Sequence, residues 1–183
     1  IDLCLANNAP IPQELAARYS AEDAELLRVD RERPDVNAVV HAHPPVATAF
    51  TVAGIPLDRY ILPEAVLTIG DIPTCAYGTP STMEIPDSLM PYIQEHDAFM
   101  LKNHGALTVG NTLTRAMFTM EEVEFNANIM KMAMELGKIE EIPADQMVKL
   151  MDLTDKYAVT TYQAPTDIAP KLINGEVDVL VST

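Results

Sequence analysis

Apolar and polar positions along the chain switch repeatedly between a period of two and a period near three and a half. Residues 20–33 predict a helix: Ser20 can cap it, Glu22, Asp23 and Glu25 sit near its start where the helix dipole favours anions, and Pro34 ends it. Asn37-Ala-Val-Val-His-Ala-His43 alternates with period two and predicts a strand, stopped by Pro44-Pro45. Residues 46–53 then predict a short apolar helix or turn. Residues 64–69 and 73–77 read as short strands broken at Gly70, and 78–81 as a loop. A helix interrupted at Pro86 is expected over 81–95. A buried strand over 98–103 closes at His104-Gly105 and continues over 106–109. The strongest helix covers 112–136, where Leu113, Ala116, Met117, Met120, Val123, Ala127, Met130 and Met134 recur mostly at spacings of three and four, and Gly137 ends it. This methionine-rich stripe is read as core packing. A shorter helix is expected around 146–156, and one strand-like stretch at 177–181 in the tail. Strands that alternate with helices place the chain in the α/β class.

Bulk properties narrow the partners. A chain of 183 residues with nearly half of them hydrophobic suits one domain with a sizeable core. Its prolines are spread along the chain, which argues for many tight connections and against a low-complexity linker. The formal net charge of −15 repels phosphate backbones, so a nucleic-acid partner is not expected. A small anion remains compatible with a local positive site, which a metal ion would supply. The apolar runs near 38–40 and 179–181 are too short to span a membrane. The first residues lack the basic flank of a signal peptide. Cys4 and Cys75 do not make a disulfide framework and are read as buried thiols in a cytoplasmic setting.

The candidate chemistry lies in the four histidines. His41 and His43 stand at i and i+2 of a strand and so face the same way. The pair ends an apolar strand at a Pro-Pro stop, and His104 lies at a second strand end, before a glycine. Three imidazoles with one open position form the donor set of a catalytic zinc site. The alternative for the pair alone is two ordinary polar residues on a sheet face; whether the two strand ends meet is left open by the sequence. His96, in Glu95-His96-Asp97, is read as a solvated surface histidine.

Arg33-Pro-Asp-Val-Asn-Ala-Val-Val-His-Ala-His-Pro-Pro45, Ile72-Pro-Thr-Cys-Ala-Tyr-Gly-Thr-Pro80 and Leu101-Lys-Asn-His-Gly-Ala-Leu-Thr-Val-Gly110 resemble the class II aldolase/adducin family, and within it the bacterial L-fuculose-phosphate aldolase branch. The likeness runs from about Ser20 to Gly137. It implies a three-layer α/β/α fold with a central mixed sheet, and zinc held by His41, His43 and His104. Glu22 falls on the family's Ser-Ser-Glu stretch, which implies the catalytic acid/base; a first-turn helix carboxylate is the other reading of this residue. Ser20 matches a serine that helps hold the substrate phosphate, whereas Ala21 departs from the second serine. Tyr77 matches a tyrosine that takes part in proton transfer, with a buried structural tyrosine as the alternative.

The activity so implied is zinc-dependent cleavage of a sugar phosphate, similar to L-fuculose 1-phosphate, into dihydroxyacetone phosphate and an aldehyde. Relatives that epimerise or dehydrate sugar phosphates, and adducin-like domains without catalysis, are the other outcomes the resemblance allows. It also implies a homo-oligomer, a tetramer in the family. The family's Gly-Asn-hydrophobic-Ser strand and Thr-Pro-x-Gly loop have no match before Ser20. The expectation is therefore a single domain over 1–183 lacking part of the family's N-terminal region.

Overall fold

The computed structural model describes Val29 and residues 32–157, with side chains as far as Leu150. Four strands form one mixed sheet: β1 (Ala38–Ala42), β2 (Thr74–Cys75), β3 (Ala98–Leu101) and β4 (Gly105–Gly110), in the order β1-β4-β3-β2. β4 runs antiparallel to β1 and to β3, and β2 runs parallel to β3. Strands β1, β2 and β3 therefore all point the same way and finish at the same edge of the sheet. In register, Ala38 stands opposite Gly110 and His41 opposite Leu107.

The period-two pattern divides the sheet into two apolar faces. Ala38, Val40, Ala42, Met100 and Ala106 pack on one side with residues of α1 (Pro45–Ala53) and α4 (Leu113–Leu136). Val39, Phe99, Leu101, Leu107 and Val109 pack on the other with Val29 and with Ile85 and Leu89 of α3 (Glu84–Leu89). The result is the three-layer α/β/α arrangement around a mixed sheet that the motifs imply. Phe99 is fully buried, and truncating a buried phenylalanine to alanine typically costs about 3–5 kcal/mol.

Arg33 ties the approach to β1 to the loop entering β3. Its guanidinium donates to the carbonyls of Ile93 and His96 at 2.9 and 3.1 Å, and to the carboxylates of Asp35 and Asp97 at 2.7–2.9 Å. The hydrogen bonds from Arg33 hold the Asp35 carboxyl below its usual range.

α4 begins at Thr112, whose side chain accepts the Arg115 N–H at 3.1 Å, and ends at Gly137, whose N–H reaches the carbonyls of Ala133 and Met134. Ala116, Met120, Val123, Ala127 and Met130 are buried along it, as the stripe predicts, while Met134 is 41 % exposed. α5 (Ala144–Tyr157) covers the helix expected after Pro143.

Three local expectations are corrected. The run 64–69 is not a strand but lies largely in a helix, α2 (Pro63–Thr68). Its branched apolar residues suggest a strand, but Pro63 at the first helical position has a suitable φ and no N–H to waste, and Glu64 suits the first turn. Pro86 does not interrupt α3, because it sits in the first turn, where no intrahelical N–H bond is required. The chain does not continue straight past Gly105: it reverses through residues 102–104 and pairs β4 against β3.

Candidate metal centre

The site grows from the sheet edge where β1 and β3 end. His41, the fourth residue of β1, is half-buried. One of its ring nitrogens, Nδ1, lies 2.9 Å from the Ala106 carbonyl on the neighbouring strand. A carbonyl can only accept, so Nδ1 carries the hydrogen and Nε2 the lone pair, the tautomer a metal ligand needs. His43 is one residue past the end of β1 and exposed.

His104 closes the turn from β3 into β4, its N–H donating to the Leu101 carbonyl at 3.0 Å. Asn103 takes φ +57°, a left-handed conformation that asparagine tolerates better than most residues. Gly105 follows, and a Cβ at this position would lie 2.5 Å from the Ala42 carbonyl oxygen and 2.7 Å from Cδ2 of His43. The glycine thus allows β4 and its turn to press against the end of β1.

The fold brings the three imidazoles together from stretches some sixty residues apart. Ring centroids are 4.7–5.0 Å from one another, and one nitrogen from each ring lies within 4.8 Å of the others. In a tetrahedral zinc site with bonds of about 2.0–2.1 Å, ligand nitrogens stand roughly 3.4 Å apart. Small ring rotations would close that gap. Among the described residues no carboxylate belongs to this group. The donor set fits a borderline-soft divalent ion that prefers imidazole.

The other expected site residues are placed less completely. Ser20 and Glu22 lie outside the described residues. Tyr77 follows β2 and is 57 % exposed; because Cys75 pairs with Leu101 in parallel, this loop leaves the sheet at the edge that carries His104. Gly78 holds the loop close to α3, where a Cβ would come within 2.6 Å of the Ile85 nitrogen. Cys75 is buried, and burial pushes its thiol up to about 12. His96 belongs to the other end of β3. It is half-buried rather than solvated: its ring nitrogens lie 3.1 Å from the Tyr92 carbonyl and 3.3 Å from the Asp71 carboxylate.

One contributor has no mark in the sequence. Glu124, on α4, accepts hydrogen bonds from the backbone N–H groups of Val46 and Ala47 at 2.9–3.1 Å, directly after the His43-Pro44-Pro45 segment. Pro44 and Pro45 show only that α1 has no capping side chain of its own; nothing along the chain marks Glu124 as the group that supplies it.

Residues 10–130, well over half the chain, match the family described as Class II Aldolase and Adducin N-terminal domain. The chain belongs to the class II aldolase and adducin family. An L-fuculose phosphate aldolase of Methanococcus vannielii is 36 % identical over 140 residues, covering 75 % of this chain and 73 % of that one. A 5-methylthioribulose-1-phosphate/5-deoxyribulose-1-phosphate aldolase of Rhodospirillum rubrum is 32 % identical over 126 residues, 69 % of this chain and 57 % of the other. A 3-oxo-tetronate 4-phosphate decarboxylase of Pectobacterium atrosepticum is 31 % identical over 137 residues, 72 % and 62 % of the two chains. Among solved structures, an L-fuculose 1-phosphate aldolase superposes with a TM-score of 0.67 at 26 % identity, covering 74 % of this chain and 63 % of its own. This class II aldolase family member thus spans 57–62 % of the length of several curated relatives. No helix among the described residues is long and apolar enough to cross a membrane.

Proposed function

We propose that the chain is a zinc-dependent aldolase that cleaves a phosphorylated ketose, similar to L-fuculose 1-phosphate, into dihydroxyacetone phosphate and an aldehyde. The observation that carries this reading is the gathering of His41, His43 and His104 at one sheet edge, with one ring nitrogen of each within 4.8 Å of the others. These residues would hold the ion, which when bound supplies Lewis-acid stabilisation of the negative charge that develops on the substrate's carbonyl oxygen.

The protein's own groups manage protons. Cleavage removes the proton from the hydroxyl on the carbon that becomes the aldehyde. The carbon–carbon bond breaks, its electron pair passes toward the carbonyl, and the carbon left behind takes up a proton. Tyr77, in a loop at the histidine-bearing edge, takes the proton from that hydroxyl as the aldehyde forms and relays it to solvent. Glu22 delivers the proton to carbon as general acid and removes it in the reverse direction as base. Ser20 contributes to holding the phosphate. On a chain whose overall charge is −15, an ion held by His41, His43 and His104 would supply the local positive charge that an anionic substrate needs.

Retro-aldol assays on L-fuculose 1-phosphate and 5-deoxyribulose 1-phosphate, with coupled detection of dihydroxyacetone phosphate, test this reading. We expect Glu22→Gln to lower kcat by about 10²–10⁴-fold; an unchanged rate would remove Glu22 from the mechanism. Absence of cleavage of any ketose 1-phosphate by zinc-loaded protein would remove the aldolase reading.

The decarboxylase relative favours a second reading on the same site, in which carbon dioxide rather than an aldehyde leaves. Epimerisation and dehydration keep the same metal and fold; product analysis separates all of these. A cytoplasmic homotetramer of single-domain subunits belongs to the leading reading. The exposure of Phe125, Met132 and Leu136 on α4, apolar surface that a subunit contact would cover, supports the oligomeric part of that reading, and sedimentation tests it.

A further inference from the structure

The backbone N–H groups at the start of α1 are all accounted for in hydrogen bonds. Pro44 fills the cap position without a side-chain acceptor, and Pro45 has no N–H. Val46 donates to Glu124 Oε1 and Oε2 at 3.0 and 3.1 Å, and Ala47 donates to Oε2 at 2.9 Å. Thr48 donates to the Pro44 carbonyl at 2.8 Å. A single carboxylate from α4, 77–78 residues away in sequence, therefore satisfies the open amides of this helix end and meets the positive end of its dipole.

This grip matters because of what precedes it. His43 sits between Ala42, locked to Ala106 in the sheet, and the two prolines that lead into α1. Proline fixes its own φ near −65° and restricts the residue before it, so the connection transmits position rather than absorbing it. The other two histidines have local supports: His41 is bonded through Nδ1 to the Ala106 carbonyl, and His104 is set by its tight turn. His43 is exposed, and among the described residues no hydrogen bond holds its ring. Its placement depends on its backbone, and its backbone depends on the start of α1.

We propose that Glu124 is a positioning residue for the metal centre, holding His43 in ligand geometry by clamping the first turn of α1 from a distant helix. This rests on the three-histidine reading above. The same carboxylate occupies the amides of the helix end that follows His43, so those amides are not open to a substrate anion.

The test is zinc affinity, by competition with a chromophoric chelator, together with the visible spectrum of the cobalt-substituted protein. The proteins are wild type, Glu124→Ala, Glu124→Gln and Thr112→Ala. The last loses the cap of α4, far from His43, and controls for a general loss of stability. We expect Glu124→Ala to weaken zinc binding by about 10-fold or more and to shift the cobalt bands. Glu124→Gln, which keeps one acceptor oxygen and turns the other position into a donor facing a backbone N–H, weakens binding by a smaller, measurable factor. Thr112→Ala binds like wild type. Wild-type affinity and spectrum in Glu124→Ala overturn the proposal while leaving the three-histidine site standing, as does equal weakening in Thr112→Ala. Should Glu124→Ala not fold, wild-type affinity and spectrum in Glu124→Gln overturn it. Failure of the wild type itself to bind zinc brings down the histidine site and this proposal with it.

Discussion

Replacing Gly105 by alanine places a methyl group 2.5 Å from the Ala42 carbonyl oxygen and 2.7 Å from His43 Cδ2. Carbon contacts are most favourable at about 3.5–4.0 Å, so the second of these is an overlap of roughly 0.8 Å. The first clash is with backbone and cannot be relieved by rotating a side chain. Either the ladder at Ala42–Ala106 opens, or His43 swings away. Overpacking of this kind typically costs about 1–3 kcal/mol, and the stiffer unfolded chain returns about 0.4–1 kcal/mol. We expect a net loss of about 1–2 kcal/mol, which for a domain of this size is a fall in Tm of about 3–6 °C. Zinc affinity should fall about 10-fold or more, because the shift lands on a proposed ligand.

Thermal melts of the apo protein and zinc competition titrations measure the two effects. Gly110→Ala is the internal control. Its Cβ would lie 2.8 Å from the Ala116 nitrogen at the opposite end of β4, so it should lower Tm while leaving zinc affinity unchanged. If Gly105→Ala binds zinc like wild type, or if Gly110→Ala loosens zinc to the same degree, the close approach of β4 to His43 does not shape the site.

Two further outcomes follow from titratable groups held partly or wholly out of water. Burial raises the Glu122 carboxyl above its ordinary value, against the opposing pull of Thr68 and Arg115. A carboxyl raised in the folded state contributes stability that is present below its unfolded value, about 4.3, and is lost as pH rises through the folded one. Glu122→Gln should therefore melt higher than wild type at pH 8, with the difference vanishing toward pH 4; a pH-independent difference in melts of the apo protein refutes this. The buried Cys75 thiol, pushed up to about 12, stays protonated at pH 8. In a Cys4→Ser background the native protein should react with Ellman's reagent far more slowly than the unfolded chain, and fast reaction would mean that the β2 region opens readily.

The features legible in the sequence are those whose cause is local. Val39 and Val40 ahead of His41, with two prolines behind His43, mark a strand and its stop. The stripe from Leu113 to Met130 marks a helix because its period is sustained over many turns. Residues 64–69 mislead because branched apolar side chains weigh toward a strand in a short window, while Pro63 and Glu64 in the first turn favour a helix. The reversal at 102–104 is hidden because Asn103 is a permissive but not compulsory left-handed residue. Tertiary causes leave no such mark. The meeting of His41 and His43 with His104 depends on β1 pairing with β4, and the role of Glu124 depends on two amides that lie far away along the chain. Of the proposed site, the histidines could be nominated from motif and spacing, whereas the groups that hold them in place could not.

The antiparallel pairing of β1 with β4 has a consequence for how the protein is made. Side chains alternate across a strand, so a slip by one residue would turn His41 and His43 to the opposite layer and leave His104 without them. The His41–Ala106 contact joins positions 65 residues apart. A growing polypeptide thus carries its first two imidazoles for a long interval before the third emerges, and only one alignment of the hairpin's partner can unite them. Uptake of an ion at the proposed site would favour that alignment over any other.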